Sequence, residues 1–340
     1  MTFNGVNKPK IILVTGGSGF IGSNFIKFLL EEVKDVEILN LDKQTYAGQG
    51  RNLEHMQLSQ DTRYKLIVGD IINEELVGRL FEKYGFDYVF NFAAESHVDR
   101  SWIDDSPFRR TNVIGAGVLL KQAVGRRNLK GFIQASTDEI YGSIREGSFT
   151  EKDEPNPSNP YSKCKAEAEV LAKHYAEQYG VPVVIVRSTN NFGPYQFPEK
   201  LLPLFISNLI EGKKAPLMWS EENPGLNVRD WLHVEDNCRA IWHIAQKGNR
   251  GQIYNVAGHN EKTNIEMTQK ILKHLGCGEE MIEKVSHRPN HDFRYSIDDS
   301  KLLALGFKHE HTDLDKEVEK LCNWHKDNKI WWKALKNKTL

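Results

Sequence analysis

Ser136-Thr137-Asp138-Glu139 and, further on, Tyr161-Ser162-Lys163-Cys164-Lys165 hold the side chains of this chain best suited to chemistry. A phenol and an ammonium four residues apart share one face of a helix. Such a pair can take the proton from an alcohol as hydride leaves its carbon. A free tyrosine, with a pKa near ~10, is mostly protonated at neutral pH, and a nearby ammonium favours the phenolate. Two adjacent carboxyls just after a buried strand exceed what plain alcohol oxidation requires. An acid and a base beside an oxidising site point to oxidation coupled to a second reaction, elimination.

Positioning these groups falls to an alternation of apolar runs and amphipathic segments. Ile11 to Val14, Val36 to Leu41, Tyr64 to Val68, Tyr88 to Phe92, Gly131 to Ala135 and Val181 to Val186 read as strands. Short continuous apolar runs suit a parallel sheet covered on both faces. Between them, Ile21 to Glu32, Asn73 to Tyr84, Pro107 to Arg126 and Pro160 to Gln178 carry helical patterns. The expected fold is α/β, a doubly wound parallel sheet of the Rossmann type with a smaller C-terminal substrate-binding lobe. The rhythm breaks after Arg187, and Trp231 to Val256 is expected to return to the first domain. Residues 1–187 plus about 230–258 then form the Rossmann domain, and about 188–229 plus 259–340 the smaller lobe. The lysine-rich end near Trp331 reads as a solvated tail or an edge helix.

Gly16, Gly19 and Gly22 punctuate the turn between the first strand and first helix, with Phe20 and Ile21 opening that helix. Glycines there permit a tight turn and close backbone approach to a pyrophosphate, which the helix N-terminus attracts. Asp42 ends the second strand, where an acid accepts hydrogen bonds from a ribose and repels a 2′-phosphate, favouring NAD over NADP. Asp70 and Ile71 follow the third strand and are placed against the adenine.

With Asn91-Phe92-Ala93-Ala94 after the fourth strand, this glycine spacing and the later Tyr-x-x-x-Lys resemble the extended short-chain dehydrogenase/reductase family. The resemblance implies that Ala93 and Ala94 lie beneath the cofactor and that Tyr161 is the catalytic base. It also implies that Lys165 binds the nicotinamide ribose and lowers the tyrosine pKa. Thr137-Asp138-Glu139 narrows the likeness to the dTDP-glucose 4,6-dehydratases. So do Ala94 to Ser101, Asn190 to Leu201, Asn227 to Trp231, Asn260 to Asn264 and His287 to Asp292.

That resemblance implies C4 oxidation with Thr137 and Tyr161 on the C4 oxygen. Glu139 then removes the C5 proton, and Asp138 protonates the departing C6 hydroxyl. Return of the hydride to C6, with reprotonation of C5, leaves a 4-keto-6-deoxy sugar. Asp138 is thus expected neutral and Glu139 ionised. Arg229 and Arg288 are expected at the diphosphate, since guanidinium can fork two oxygens. Ser96, His97, Asn190, Lys200 and Asn264 follow as substrate contacts by resemblance. His233 and His287 are read as structural, and Trp219 as a base-stacking or core residue. The family also implies a homodimer built through the helices at 107–126 and 160–178.

Where the family carries a short Gly-Asp-Gly turn, this chain reads Pro216 to Leu226. UDP-glucose or UDP-N-acetylglucosamine therefore stands as an alternative substrate, since one methyl is worth only about 1–3 kcal/mol of discrimination. A nucleotide-sugar epimerase without roles for the two carboxyls is a second alternative, and a non-enzymatic NAD-sensing module a third. A formal net charge of −1 argues against nucleic-acid binding. No run approaches the roughly 18 apolar residues of a membrane span. The polar start, Met1 to Lys10, does not read as a signal peptide. Cys164, Cys238, Cys277 and Cys322 lack metal-ligand spacing. They suit reduced thiols in the cytoplasm, and no metal is expected.

Overall fold

Lys10–Thr15 (β1) enters the middle of a seven-stranded sheet in a computed structural model that describes residues 9–48, 50–287 and 291–336. The other strands are Val36–Asp42 (β2), Tyr64–Val68 (β3), Tyr88–Asn91 (β4), Gly131–Thr137 (β5), Val183–Ser188 (β6) and Ile253–Val256 (β10). Their order is β10-β6-β5-β4-β1-β2-β3 and every pairing is parallel. The burial of β1 and β4 follows from helices on both faces, as a parallel sheet requires. One face carries Phe25, Ile26 and Leu29 with Trp242, while the other carries Val77, Leu119, Leu120 and Ala172.

Pro182 precedes β6 and has no N–H to donate, so that strand begins at Val183 rather than Val181 and runs on to Ser188. The expected helix from Pro107 starts at Ser106 and ends at Ala123, with Arg109–Gly115 wound in wide i→i+5 turns. Such turns concentrate at functional sites. Here they carry Asn112, whose amide accepts from the Glu95 N–H at 2.9 Å and donates to its carbonyl at 3.0 Å.

Asn190–Phe192 (β7), Ala215–Met218 (β8), Val228–His233 (β9), Glu261–Thr263 (β11) and Ile282–Val285 (β12) form two smaller sheets, β11-β9-β7 and β12-β8. With helices Leu201–Ile210, Asn264–Leu275 and Leu314–Asp327 they enclose a separate apolar cluster around Phe205, Trp231 and Met267. Trp231 belongs to this cluster; the chain rejoins the large sheet through helix Val234–Lys247 and β10.

The lysine-rich end is not a solvated tail. Lys329–Lys336 is a helix whose Trp331, Trp332 and Leu335 pack against Phe197, and the Trp332 indole donates to the His325 carbonyl at 2.9 Å. Lys329 and Lys333 face solvent, Lys336 reaches back to Glu211 at 2.9 Å, and one apolar stripe docks, a division that residue counting alone hides. Trp332→Ala is expected to cost about 3–5 kcal/mol of stability, as for other fully buried aromatics. Denaturant unfolding measures this; a loss below about 1 kcal/mol would show that the helix does not dock.

Candidate active site

The carboxyl ends of β1, β2, β4 and β5 converge on one elongated cleft, as expected of an open α/β sheet. Its walls include Gly16, Gly19, Phe20, Ile21 and Gly22 from the first turn, Asp42 from β2, and Asp70 with Ile71 after β3. Ala93, Ala94, Ser96, Tyr161, Lys165 and Lys200 line the same space.

The first turn is held from β2. Asn40 Oδ1 accepts the Gly17 N–H at 3.0 Å, and Asp42 Oδ2 accepts the Ser18 N–H at 2.9 Å. Gly16 has φ +70°, and a Cβ there would sit 2.6 Å from the Ala93 nitrogen. At Gly22 a Cβ would meet the Gly16 carbonyl oxygen at 2.3 Å. Gly19 differs: its nearest neighbour would be that oxygen at 3.4 Å. A side chain fits the protein there and intrudes only on the cleft. Asp42 thus both anchors the turn and faces the cleft; burial pushes its carboxyl up, against hydrogen bonds from Gln44 and Ser18. Asp70 pairs with Lys43 at 2.8 Å.

Thr137 ends β5, and Asp138 and Glu139 begin the tight turn Asp138–Tyr141 that follows. The Thr137 hydroxyl donates to Asp138 Oδ1 at 3.2 Å, accepts the Glu139 N–H at 3.3 Å, and lies close enough to the Tyr161 phenol to influence it. Asp138 is 2 % exposed and its Oδ2 has no partner. Burial, then Glu139 and Asp230, push its pKa well above the ordinary carboxylate range, with Arg229 opposing. The Asp138 carboxyl is therefore held toward its neutral form.

Helix Pro160–Tyr179 carries Tyr161 and Lys165. Asn159 caps it in a reciprocal box with Ser162, and Pro160 supplies a preset φ in the first turn. The Asn159 amide also reaches Glu139 Oε2 at 3.4 Å, tying the helix start to the acidic turn. Lys165 Nζ donates to the Ala135 carbonyl at 2.6 Å, and burial lowers its pKa to about 8. One turn further, Glu169 meets Arg187 of β6 in a buried fork, with Nε–Oε1 3.0 Å and Nη2–Oε2 2.6 Å. The expectation that Lys165 lowers the tyrosine pKa does not describe this arrangement. Burial, then Glu139 and Asp138, push the Tyr161 phenol up, and only Thr137 opposes them.

The substrate candidates divide. Asn190 opens β7, Arg229 lies in β9, and Asn264 follows β11, so one small sheet gathers all three. The side-chain oxygens of Asn190 and Asn264 are buried without partners. Arg229 is 5 % exposed; it donates to the carbonyls of Val228, Asp292 and Phe293 and stacks on Tyr295 at 4.3 Å. Its charge reaches Asp138, but much of its fork is spent on backbone. His97 caps helix Val98–Ile103 and lies 3.7 Å from Glu199, while Lys200 Nζ donates to the Ser96 carbonyl at 3.0 Å. Arg288 lies outside the described residues. His287 contacts the Asn223 carbonyl at 2.9 Å, so the Pro216–Leu226 segment abuts His287. Trp219 lies under Lys284, whose Nζ is 4.0 Å from the ring centre.

Several neighbours are not singled out by the sequence, although Arg100, Gln196 and Glu199 lie within the Ala94–Ser101 and Asn190–Leu201 segments. Gln196 and Glu199 line the cleft, and Glu199 accepts from the Tyr46 phenol at 3.1 Å. Arg100 stacks on Tyr46 at 4.0 Å. Tyr295 lies within electrostatic reach of Glu139 and donates to Asp292 at 2.6 Å.

The residues fit a dinucleotide. The turn offers open space over Gly19 at a helix N-terminus, Asp42 faces the cleft, and the buried hydroxyl of Ser136 on the cleft wall has no partner.

Comparison with known proteins agrees. The GDP-mannose 4,6 dehydratase family matches residues 13–321. A dTDP-glucose 4,6-dehydratase of Streptomyces niveus is 42% identical over 331 residues, covering 96% of each chain. The low-salt glycan biosynthesis protein Agl12 of Haloferax volcanii is 44% identical over 299 residues, 88% of this chain and 93% of that one. The crystal structure of a Streptomyces venezuelae dTDP-glucose 4,6-dehydratase with NAD bound superposes with a TM-score of 0.90. It is 41% identical and covers 96% of this chain and 99% of its own.

Proposed function

The chain belongs to the GDP-mannose 4,6-dehydratase family, with the dTDP-glucose 4,6-dehydratases among its relatives, and from that premise we propose that it is an NAD-dependent dTDP-glucose 4,6-dehydratase. The product is dTDP-4-keto-6-deoxyglucose. The observation carrying this reading is the buried Thr137-Asp138-Glu139 turn against Tyr161, with Asp138 held toward neutrality. An epimerase needs no buried acid there.

Bound NAD supplies a hydride acceptor for C4, the same hydride for C6, and a cationic ring that favours a nearby anion. Tyr161 takes the C4 hydroxyl proton, and Thr137, close to the phenol, shares that oxygen. Lys165, anchored on Ala135, is placed for the nicotinamide ribose. Glu139, steadied by Asn159, removes the proton at C5, which a 4-keto group acidifies. Asp138 gives its proton to the C6 hydroxyl, which leaves as water, and as the hydride is restored at C6 the proton held by Glu139 returns to C5. Gly16, Gly19, Phe20, Ile21, Gly22, Asp42, Asp70, Ile71, Ala93 and Ala94 hold the cofactor. Ser96, His97, Asn190, Lys200, Arg229, Asn264 and Arg288 hold the nucleotide sugar, with Arg229 also setting the charge around Asp138. Residues 1–187 plus about 230–258 serve the cofactor, and about 188–229 plus 259–340 the sugar nucleotide.

The test is turnover on dTDP-glucose, UDP-glucose and UDP-N-acetylglucosamine with products weighed by mass spectrometry. The expected result is loss of one water from dTDP-glucose. An isomeric sugar with its C6 oxygen intact would refute it.

Gly19→Ala isolates the cofactor cradle, because the added methyl fits the protein but enters the cleft. NAD retention is expected to fall about 10-fold or more, with melting temperature little changed. Cofactor content after gel filtration measures it; undiminished NAD would remove Gly19 from the site.

A homodimer built through helix Pro160–Tyr179 and the Ser106–Ala123 helical run is supported by exposed apolar groups there, Ile114 at 58% and Val170 at 67%. Four free cysteines, three of them buried, suit a reducing compartment, and we place the enzyme in the cytoplasm. Among the described residues no helix is long and apolar enough to cross a membrane.

A further inference from the structure

Away from the cleft, His259, Asp299 and His309 converge from three separate segments. His259 follows β10, Asp299 precedes helix Ser300–Leu303, and His309 lies on the way to helix Leu314–Asp327. The proposed dehydration uses none of them. His259 Nε2 lies 3.0 Å from Asp299 Oδ1, and His309 Nε2 lies 3.1 Å from Asp299 Oδ2. The ring centres are 5.1 Å apart and the planes inclined by 77°.

These dimensions match a shared ion. An imidazole nitrogen sits about 2.0–2.1 Å from zinc, which puts the ring centre roughly 3.2 Å away. Two such rings 5.1 Å apart subtend a nearly tetrahedral angle at the ion. Nitrogen–oxygen separations near 3 Å are what neighbouring ligands on one ion require. The Asp299 carboxyl is 1% exposed, and a carboxylate so deep calls for positive charge. Asp236 Oδ2 lies 3.8 Å from His309 Nδ1, on the side where metal-bound histidines commonly face a carboxylate. His259 is half exposed, which leaves a fourth position open to solvent.

We propose that His259, Asp299 and His309 form a binding site for a zinc-class divalent cation. Two imidazoles and one carboxylate suit zinc and its first-row neighbours, not calcium or magnesium. The site staples the loop after β10 to the C-terminal segment. That loop also carries the Gly258 and Asn260 N–H groups that bond Asp230 at 2.6 and 2.7 Å, and Asp230 in turn raises the Asp138 pKa. The other histidine cluster, His233, Glu235 and His311, is a poorer cage. Its imidazoles stack 4.1 Å apart at 23°, too close for one ion between them, and His233 Nδ1 already accepts the Glu235 N–H.

The test uses the full-length, NAD-loaded protein stripped with a chelator and titrated with zinc against a chromophoric competitor. One saturable equivalent per chain is expected, weakened about 100-fold or more by Asp299→Asn and by His259→Gln. His259 is half exposed, so its replacement does not disturb the core. His311→Gln should leave zinc affinity unchanged. Cobalt substitution should give intense tetrahedral visible bands in the parent protein and none in His259→Gln. Absence of stoichiometric uptake would leave a purely hydrogen-bonded cluster and overturn the proposal. Loss of uptake in His311→Gln but not in His259→Gln would overturn it too.

Discussion

Tyr161→Phe is expected to lower kcat by about 10³–10⁴-fold while leaving fold and NAD content intact. The phenol oxygen is the only atom removed, and the ring keeps its contact with Phe108, 6.4 Å between centres. A positioned base contributes about 10²–10⁴-fold. The upper part of that range applies here because Thr137, the remaining hydroxyl, has no basic partner of sufficient strength beyond an acid held neutral. Steady-state turnover with dTDP-glucose, alongside cofactor content, measures the effect; turnover within a few-fold of the parent would remove Tyr161 from the base role. Lys165 adds a pH signature. Its ammonium is fully present below about 8 and is lost above that, so cofactor-dependent turnover should fall as pH rises through this value.

The second large effect separates two half-reactions. In Glu139→Gln, C4 oxidation should continue while water loss falls about 10²–10⁴-fold, so reduced cofactor accumulates in a single turnover. Its near-ultraviolet absorbance reports this, and unchanged dehydration would refute the assignment. Asp138→Asn should likewise block water loss, since an amide cannot deliver the proton. It should also stabilise the protein at neutral pH. The folded-state pKa of Asp138 lies above the unfolded value of 3.8, so the native form binds this proton more tightly. Stability from this group is fully present below 3.8 and is lost as pH rises through the folded value. Each pKa unit is worth about 1.4 kcal/mol. The Asn variant lacks that slope, so its melting temperature should exceed the parent's near pH ~8 and equal it near pH ~3. Parallel profiles would contradict the buried-acid account.

Local signals made the cofactor half legible. A glycine turn, a terminal Asp42 and short apolar strands all express rules that act within a few residues. The Tyr161–Lys165 spacing did the same for one helix face. What escaped was long-range. No spacing links Glu139 to Asn159, Tyr46 to Glu199, or Asn112 to Glu95, and each pair is made by the packing of separate elements. Arg187, the one charged residue of β6, does point to such a pairing, since a buried guanidinium must have a partner. The charge at Tyr161 misled for a related reason: helix spacing shows which groups are neighbours, whereas burial decides what their neighbourhood does to a proton. The C-terminal helix was obscured by composition, its lysines outweighing three buried side chains in any average.

Glu169 and Arg187 also constrain how this sequence can change. The side chains are 3% and 1% exposed, and removing either alone strands a charge in the core, a loss of about 3–5 kcal/mol. A matched apolar pair can restore such a deficit, yet it would no longer fix the height of helix Pro160–Tyr179 on β6. The expected outcome of such an exchange is a helix that stays attached while Tyr161 and Lys165 lose their register with Thr137, which turnover beside denaturant unfolding measures. Neither position can therefore drift first, and the route through a joint exchange keeps a folded protein at the expense of a catalytic one. Stability screens would accept such a variant that turnover would reject.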